Sequence, residues 1–366
     1  MLKEKPWILL LLSVLFTLAG AELGLRFMGD SGNRLCVFPP NLHYKFYPDP
    51  SVLFGCKGEK NFTTNSYGAR PVNSGSKVTV LFIGGSTTEC LYLDDNETWP
   101  AKYLQSYGSS GMSIGKSGQT TREHVWQLQH FLPQAKTIKE VIVLCGLNDM
   151  LKVLSDTTQL KNEVPQNDKA YLQSFTSTNS FSTARLRLGG LVYNVFRNFF
   201  PDTTGQYQQD AKGLIVRSWR QHRVQRSMLI SDTTFALAHR NQGLEVFRSN
   251  LRTMIRLAKE QKQNIRFITP IAAWNDTSEA VQKKCWMGGL GDFQRQQGLP
   301  YYSFSFLSYE LERYNHVLLE ECKNAGVACI DVRSAFTVPS ALFYDDCHFH
   351  EQGALKFSEA IRRTQN

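Results

Sequence analysis

The sequence predicts an α/β fold built on a mostly parallel central sheet with helices on both faces. Three observations carry that expectation. Short apolar, β-branched runs recur along the chain, as in Val78–Ile83, Val141–Cys145 and Val327–Val332. Continuous runs of this kind mark strands buried on both faces rather than strands with one wet side. The first two runs end in glycine, at Gly84-Gly85 and at Gly146. Between the runs lie segments with helical spacing, and alternating strand and helix signals indicate parallel strands joined by crossover helices.

Taken in order, the strand Val78–Ile83 is followed by a polar stretch and a short helix, Trp99–Leu104. Met112–Ile114 is the next strand, leading into Gly115-Lys116-Ser117-Gly118, with a helix over Thr121–Leu132. Val141–Cys145 then ends in Gly146-Leu147-Asn148-Asp149. The rhythm breaks at about 151–240, a stretch rich in Ser, Thr, Gln and Arg. Leu244, Phe247, Leu251, Ile255 and Ala258 resume helical spacing. Asn264–Ile271 reads as a strand, Tyr309–Asn324 as a helix, Val327–Val332 as the last strand and Glu351–Arg363 as the last helix. No internal repeat is found.

The 366 residues suit one large α/β domain or two small ones, with ample material for a core. A charged fraction of 20% and 12% aromatics exclude a disordered or low-complexity chain. A mean hydropathy of -0.30 excludes a multi-span membrane protein. The formal charge of +9 permits anionic partners without identifying one. It is unevenly placed: residues 181–240 hold nine Lys+Arg against three Asp+Glu, a net +6. This basic segment is expected to be an insertion near the mouth of a site, facing an anionic substrate, membrane headgroups or solvent. Aromatic and basic residues do not interleave as in RNA-binding motifs, so no nucleic-acid partner is expected.

Trp7–Ala21 is an uncharged apolar run of 15 residues preceded by Lys3 and Lys5. This is the pattern of an export signal, with Ala19-Gly20-Ala21 resembling a cleavage site. The helical character continuing to Met28 equally suits an uncleaved signal-anchor, so residues 1–28 are read as a signal peptide or anchor. The expected location is extracytoplasmic, either membrane-tethered or released near Ala21. Residues 29–76 are expected to form an irregular extension, and 77–366 the main domain. Export makes disulfides possible among the eight cysteines, and Cys36 with Cys56 is one candidate local pair. No CxxC pair or H-E-x-x-H occurs, so neither a metal site nor a metal is expected. Met287-Gly288-Gly289-Leu290-Gly291 lies outside a strand-to-helix context and reads as a loop.

Functional groups in folds of this class collect at the C-terminal ends of strands. Ser86 follows the Gly84-Gly85 turn, with its hydroxyl and N–H at a helix start. Ser86-x-x-Glu89 is also a capping-box pattern, so Ser86 alone has a purely structural reading. Asp345 and His348 shift that balance. A serine needs a base to become a nucleophile near neutral pH. A carboxylate three residues before a histidine can hold Nδ1 and leave Nε2 for the serine. Asp346 and His350, at i,i+4, compete for the same roles. Gly118 and Asn148 can supply an N–H and a side-chain amide to an oxyanion, beside the Ser86 N–H. There is no G-x-S-x-G elbow, which disfavours an ordinary α/β-hydrolase.

Four blocks stand in order: Gly84-Gly85-Ser86-Thr87-Thr88, Ser117-Gly118-Gln119-Thr120, Gly146-Leu147-Asn148-Asp149, and Asp345-x-x-His348 with Phe349 and Gly353 beyond it. Together they make the chain resemble the SGNH hydrolase superfamily, the GDSL-type esterases and lipases, over roughly Lys77 to Arg363. The first block departs from the family's Gly-Asp-Ser by a glycine. The resemblance implies a flavodoxin-like three-layer α/β/α sandwich. It implies Ser86 as nucleophile, His348 as base, Asp345 as its orienting acid, and Ser86, Gly118 and Asn148 as the oxyanion hole, with no cofactor. The expected function is a serine esterase acting on acetyl or acyl esters of carbohydrate or lipid through an acyl-serine. Two other readings stand beside it: an O-acyltransferase acting on an envelope polysaccharide, and a non-catalytic binding protein on the same fold.

Overall fold

The structure is a computed structural model. It describes residues 35–73, 75, 77–155, 176–177, 217, 220–221, 237–289 and 301–365, with Ser13, Thr17, Leu18 and Gly20 near the N-terminus. In chain order the strands are β1 (Leu35–Cys36), β2 (His43–Phe46), β3 (Lys60–Thr63), β4 (Arg70–Val72), β5 (Val78–Gly84), β6 (Ser110–Ser113), β7 (Glu140–Leu144), β8 (Thr176–Ser177), β9 (Asn264–Ile268) and β10 (Ala328–Ile330). The helices are α1 (Ser86–Glu89), α2 (Trp99–Gln105), α3 (Thr121–His130), α4 (Leu147–Ser155), α5 (Leu237–Glu260), α6 (Glu279–Lys284), α7 (Phe304–Ala325) and α8 (Glu351–Gln365).

Among the described residues, six strands form the central sheet in the order β10-β9-β7-β5-β6-β4. All neighbours are parallel except β4, which runs antiparallel to β6. The apolar run of β5 is why it lies in the middle. Leu81, Phe82 and Ile83 are fully buried, as are Val141 and Val143 of β7 and Phe267 and Ile268 of β9. Helices α2 and α8 pack together as one layer, and α5 packs with α3, α4 and α7 as the other. Edge-on aromatic contacts fasten the first layer to the sheet. Phe82 meets Trp99 at 5.3 Å, and Trp99 meets Phe357 of α8 at 5.5 Å. Truncating a ring buried in this way costs about 3–5 kcal/mol. The expected α/β/α sandwich is what forms.

The extension is more ordered than its sequence suggests. β2 and β3 pair antiparallel, and β4 closes one edge of the central sheet, so the sheet reaches upstream of Lys77. These strands are two to four residues long, too short for a clear period-2 signal. Pro71 is tolerated because β4 is an edge strand. Arg70 makes the extension part of the site's scaffold. Its buried guanidinium donates to Asp95 Oδ1, and to the carbonyls of Glu89, Cys90, Leu93 and Asn61. Lys60 of β3 is almost fully buried and bonds Glu97 and Glu351 at 2.6 Å each, which ties the extension to the start of α8.

The expected insertion is bracketed by helix: α4 continues to Ser155 and α5 begins at Leu237. Most of 156–236 lies outside the described residues. Arg220 is described, and it donates to the carbonyls of Val52, Lys284 and Tyr344. The expected export segment Trp7–Ala21 also lies outside the described residues apart from four positions. Among the described residues, no helix is long and apolar enough to cross a membrane. Cys56 is buried and unbridged, so the candidate Cys36–Cys56 disulfide is not formed.

Candidate active site

β5 delivers the chain to the sheet's C-terminal edge, and two glycines let it turn there. A Cβ at Gly84 would lie 2.2 Å from Thr88 Oγ1 and 2.7 Å from the Leu144 carbonyl. A Cβ at Gly85 would lie 2.4 Å from Asn148 Nδ2. With glycine at 85, the Asn148 amide sits directly against the nucleophile turn, where a side chain would displace it. The capping-box pattern does not form. Gly85 is the N-cap of α1, without a side-chain capping bond. The Ser86 hydroxyl lies 2.7 Å from His348 Nε2 instead.

His348 Nδ1 lies 2.7 Å from Asp345 Oδ2. An ionised carboxylate only accepts, so the proton sits on Nδ1 and Nε2 presents its lone pair to the serine O–H. Asp345 is fully buried, and its other oxygen accepts the N–H groups of Cys347 and His348 at 3.0 and 2.9 Å. Burial alone would raise the Asp345 pKa. His348 and these N–H donors outweigh it and hold the carboxyl below its ordinary value. Burial pulls the His348 ring down, but Asp345 overrides it and raises the imidazole above its ordinary 6.5.

The two competitors have other work. Asp346, also fully buried, accepts Trp274 Nε1 at 2.7 Å and the main-chain N–H groups of Trp286 and Met287 at 2.7 and 3.1 Å. It fastens two loops under the site. The His350 ring bonds the Ala341 carbonyl and accepts the Gly353 N–H, closing the first turn of α8.

On the opposite side, Gly118 has φ +77, and a Cβ there would meet nothing within 4 Å. Its glycine is demanded by backbone conformation, and its open face is turned away from the protein. Asn148 Nδ2 donates to the Gln119 carbonyl at 2.8 Å, which leaves its second amide hydrogen. The Ser86 N–H is one of the first-turn donors that a helix leaves unpaired. Ser86, Gln119, Leu147, Asn148 and Pro270 share a small cleft. Preformed donors beside a hydroxyl–imidazole–carboxylate relay can activate the oxygen and stabilise a tetrahedral oxyanion.

Several further residues shape this site through contacts that the sequence patterns do not assign to them. Glu89, buried on α1, accepts both the N–H and the hydroxyl of Ser117, which fastens the nucleophile turn to the Gly118 loop. Asp149 accepts the Thr121 N–H at 3.0 Å and fixes the start of α3. Trp286 Nε1 donates to Asp345 Oδ2 at 3.0 Å. The one sequence signal for Trp286 was the glycine-rich run that follows it. Among the described residues, Asp345, Cys347 and His348 are the one grouping with metal-ligand donors close together, within 4.8 Å. Asp345 and His348 are already bonded to each other, and burial pushes the Cys347 thiol well above its ordinary value, which disfavours the thiolate a metal needs.

Among solved structures, the chain is similar to a catalytic mutant of an acetylxylan esterase from Geobacillus stearothermophilus. The identity is 13%, covering 80% of this chain and 95% of that one, with a TM-score of 0.41. It is also similar to a lipolytic protein of the G-D-S-L family from Desulfitobacterium hafniense, at 11% identity, 78% and 99% coverage and a TM-score of 0.40. A GDSL-like lipase from Bacteroides thetaiotaomicron matches at 12% identity, 80% and 89% coverage and a TM-score of 0.38. No curated protein matches the chain. The sequence model of the GDSL-like lipase/acylhydrolase family matches residues 82–355, which span all four blocks and about three quarters of the chain, so this protein is an ester hydrolase belonging to that family.

Proposed function

We propose that this hydrolase cleaves short acyl esters of carbohydrate or lipid alcohols through an acyl-Ser86 intermediate. The observation that carries the reading is the continuous relay Ser86 Oγ, His348 Nε2, His348 Nδ1 and Asp345 Oδ2, with 2.7 Å at both links. In this mechanism His348 takes the Ser86 proton as the oxygen attacks the ester carbonyl. The oxyanion rests on the Ser86 N–H, the Gly118 N–H and the Asn148 amide. Imidazolium protonates the leaving alkoxide, and water then repeats the sequence on the acyl-enzyme.

Cleft size supports the short acyl group. Among the described residues the cleft encloses about 10 Å³, room for about one water molecule, so no ready-made channel for a long acyl chain runs from Ser86. Export is part of the proposal, supported by Lys3, Lys5 and the apolar Trp7–Ala21 run. The test is a series of p-nitrophenyl esters and acetylated glycans against wild type and Ser86→Ala. We expect acetate to be cleaved with a higher kcat/KM than palmitate, and Ser86→Ala to lose more than about 10³-fold in kcat. Preference for palmitate overturns the acyl assignment. Fluorophosphonate labelling that persists in Ser86→Ala overturns the nucleophile. Acyl transfer to added glycan in place of free acid would identify a transferase.

A further inference from the structure

Two aromatic rings lie nearly parallel to the His348 imidazole. Tyr344 is at 5.7 Å between centroids and 16°, Trp286 at 6.4 Å and 15°. Tyr344 is simply the neighbour of Asp345 in the chain. Trp286 arrives from a separate loop, and it makes a polar contact as well. Its indole N–H donates to Asp345 Oδ2, the same oxygen that accepts His348 Nδ1–H. Asp345 Oδ1 is taken by two main-chain N–H groups. Each carboxylate oxygen therefore has two donors, and the indole is the one that comes from outside the 345–348 turn.

We infer that Trp286 is a positioning residue for the proton relay: by sharing Asp345 Oδ2 with His348, it fixes the carboxylate plane and so aims the imidazole at Ser86. This rests on the proposed roles of Asp345 and His348. Besides the packing of the Trp286 ring against the core, its loop is held by Asp346, through the main-chain N–H groups of Trp286 and Met287. Trp286→Phe keeps an aromatic ring against the core and removes the N–H that reaches Asp345.

The electrostatic consequence has a definite sign. The indole N–H draws off part of the Asp345 charge. Without it, the carboxylate attracts the imidazolium more strongly, and protonated His348 persists to higher pH. Other groups facing the pair are Asp346, Glu89, Arg220 and Lys284, with the Tyr344, Cys56 and Cys347 side chains neutral. All of them stay in place in the variant.

The test is Trp286→Phe assayed across pH, alone and combined with Asp345→Asn. We expect kcat to fall about tenfold with KM within about twofold, and the acidic limb of kcat/KM to move up by about half a pH unit. In the Asp345→Asn background, the same change should alter the fluorophosphonate labelling rate of Ser86 by less than about twofold, since residues acting through one partner are not additive. Trp286→Gln, which keeps a side-chain N–H, should restore the limb, and Trp286→Leu, which also lacks the donor, carries the same cycle if the phenylalanine variant does not fold. An unmoved acidic limb, or a full-sized loss in the Asp345→Asn background, overturns the inference. If Ser86→Ala remains active, the underlying mechanism fails instead. If Ser86→Ala is inactive and Trp286→Phe is normal, only the role of Trp286 fails.

Discussion

The two sides of the cleft are built differently. The Ser86–Asn148 side stands on strand ends, and its precision comes from backbone: Gly84 and Gly85 where a Cβ has no room, and Gly118 where φ is positive. The Asp345–His348 side is a loop, and its precision comes from donors reaching in from elsewhere, the Trp274 and Trp286 indoles and the Trp286 main chain, onto Asp345 and Asp346. Each side also holds a buried histidine, and the two rings are driven in opposite directions. Beside Asp345, His348 is raised above 6.5; His124 of α3, which also lines the cleft, is lowered by burial to about 4. A carboxylate in contact, or its absence, decides which way burial leaves the ring.

The adjacent carboxylates of the loop side offer the sharpest break. Asp345 holds the imidazole, and Asp346 holds the loops. Asp345→Asn should lower kcat by about 10³-fold or more with the fold intact, because an amide permits the wrong tautomer. Asp346→Asn should cost about 1–3 kcal/mol of stability through its buried donors, and leave kcat within about tenfold. Steady-state kinetics and thermal melts on both variants measure this. Exchanged phenotypes would reverse the assignment of acid and anchor.

On the strand side the same comparison is made with glycines. Gly85→Ala drives a Cβ to 2.4 Å from Asn148 Nδ2, so the amide must move. Losing one oxyanion donor costs about 10²-fold or more in kcat, and we expect about 10²-fold with KM little changed. Gly118→Ala meets open space. It should mainly destabilise the fold, by about 1 kcal/mol for a side chain at positive φ, with a smaller loss of kcat. A Gly85→Ala kcat within about twofold of wild type would mean that Asn148 is not an oxyanion donor.

This difference in construction explains what was legible in sequence. Strand-end blocks are contiguous, so Gly84-Gly85-Ser86, Gly118 and Asn148 stand out beside apolar runs. Asp345 and His348 are three residues apart and equally visible. Choosing them over Asp346 and His350 required partners that spacing does not encode: two tryptophans from distant loops, the Ala341 carbonyl and the Gly353 N–H. The pattern around Glu89 fits a capping box, yet its carboxylate reaches Ser117. β4 is silent in the sequence because three residues with a proline carry no periodicity, and only its pairing with β6 reveals it.

The smallest effect separates the histidines without touching activity. In the unfolded chain both titrate near 6.5. Folding lowers His124 to about 4 through burial, which the Glu123 charge and the Gly84 carbonyl offset only in part. The unfolded state therefore takes up a proton that the folded state refuses. This contribution is fully present above 6.5 and is lost as pH falls toward 4. His348 has the opposite sign: its raised value adds stability that is present below 6.5 and is lost as pH rises through the folded pKa. His124→Gln removes the first titration. Between pH 7 and pH 5, its unfolding free energy should fall by about 2 kcal/mol less than wild type, measured by urea denaturation at each pH. Equal falls in both proteins would mean that His124 is charged in the folded state, and that the strand side holds a counter-charge of its own.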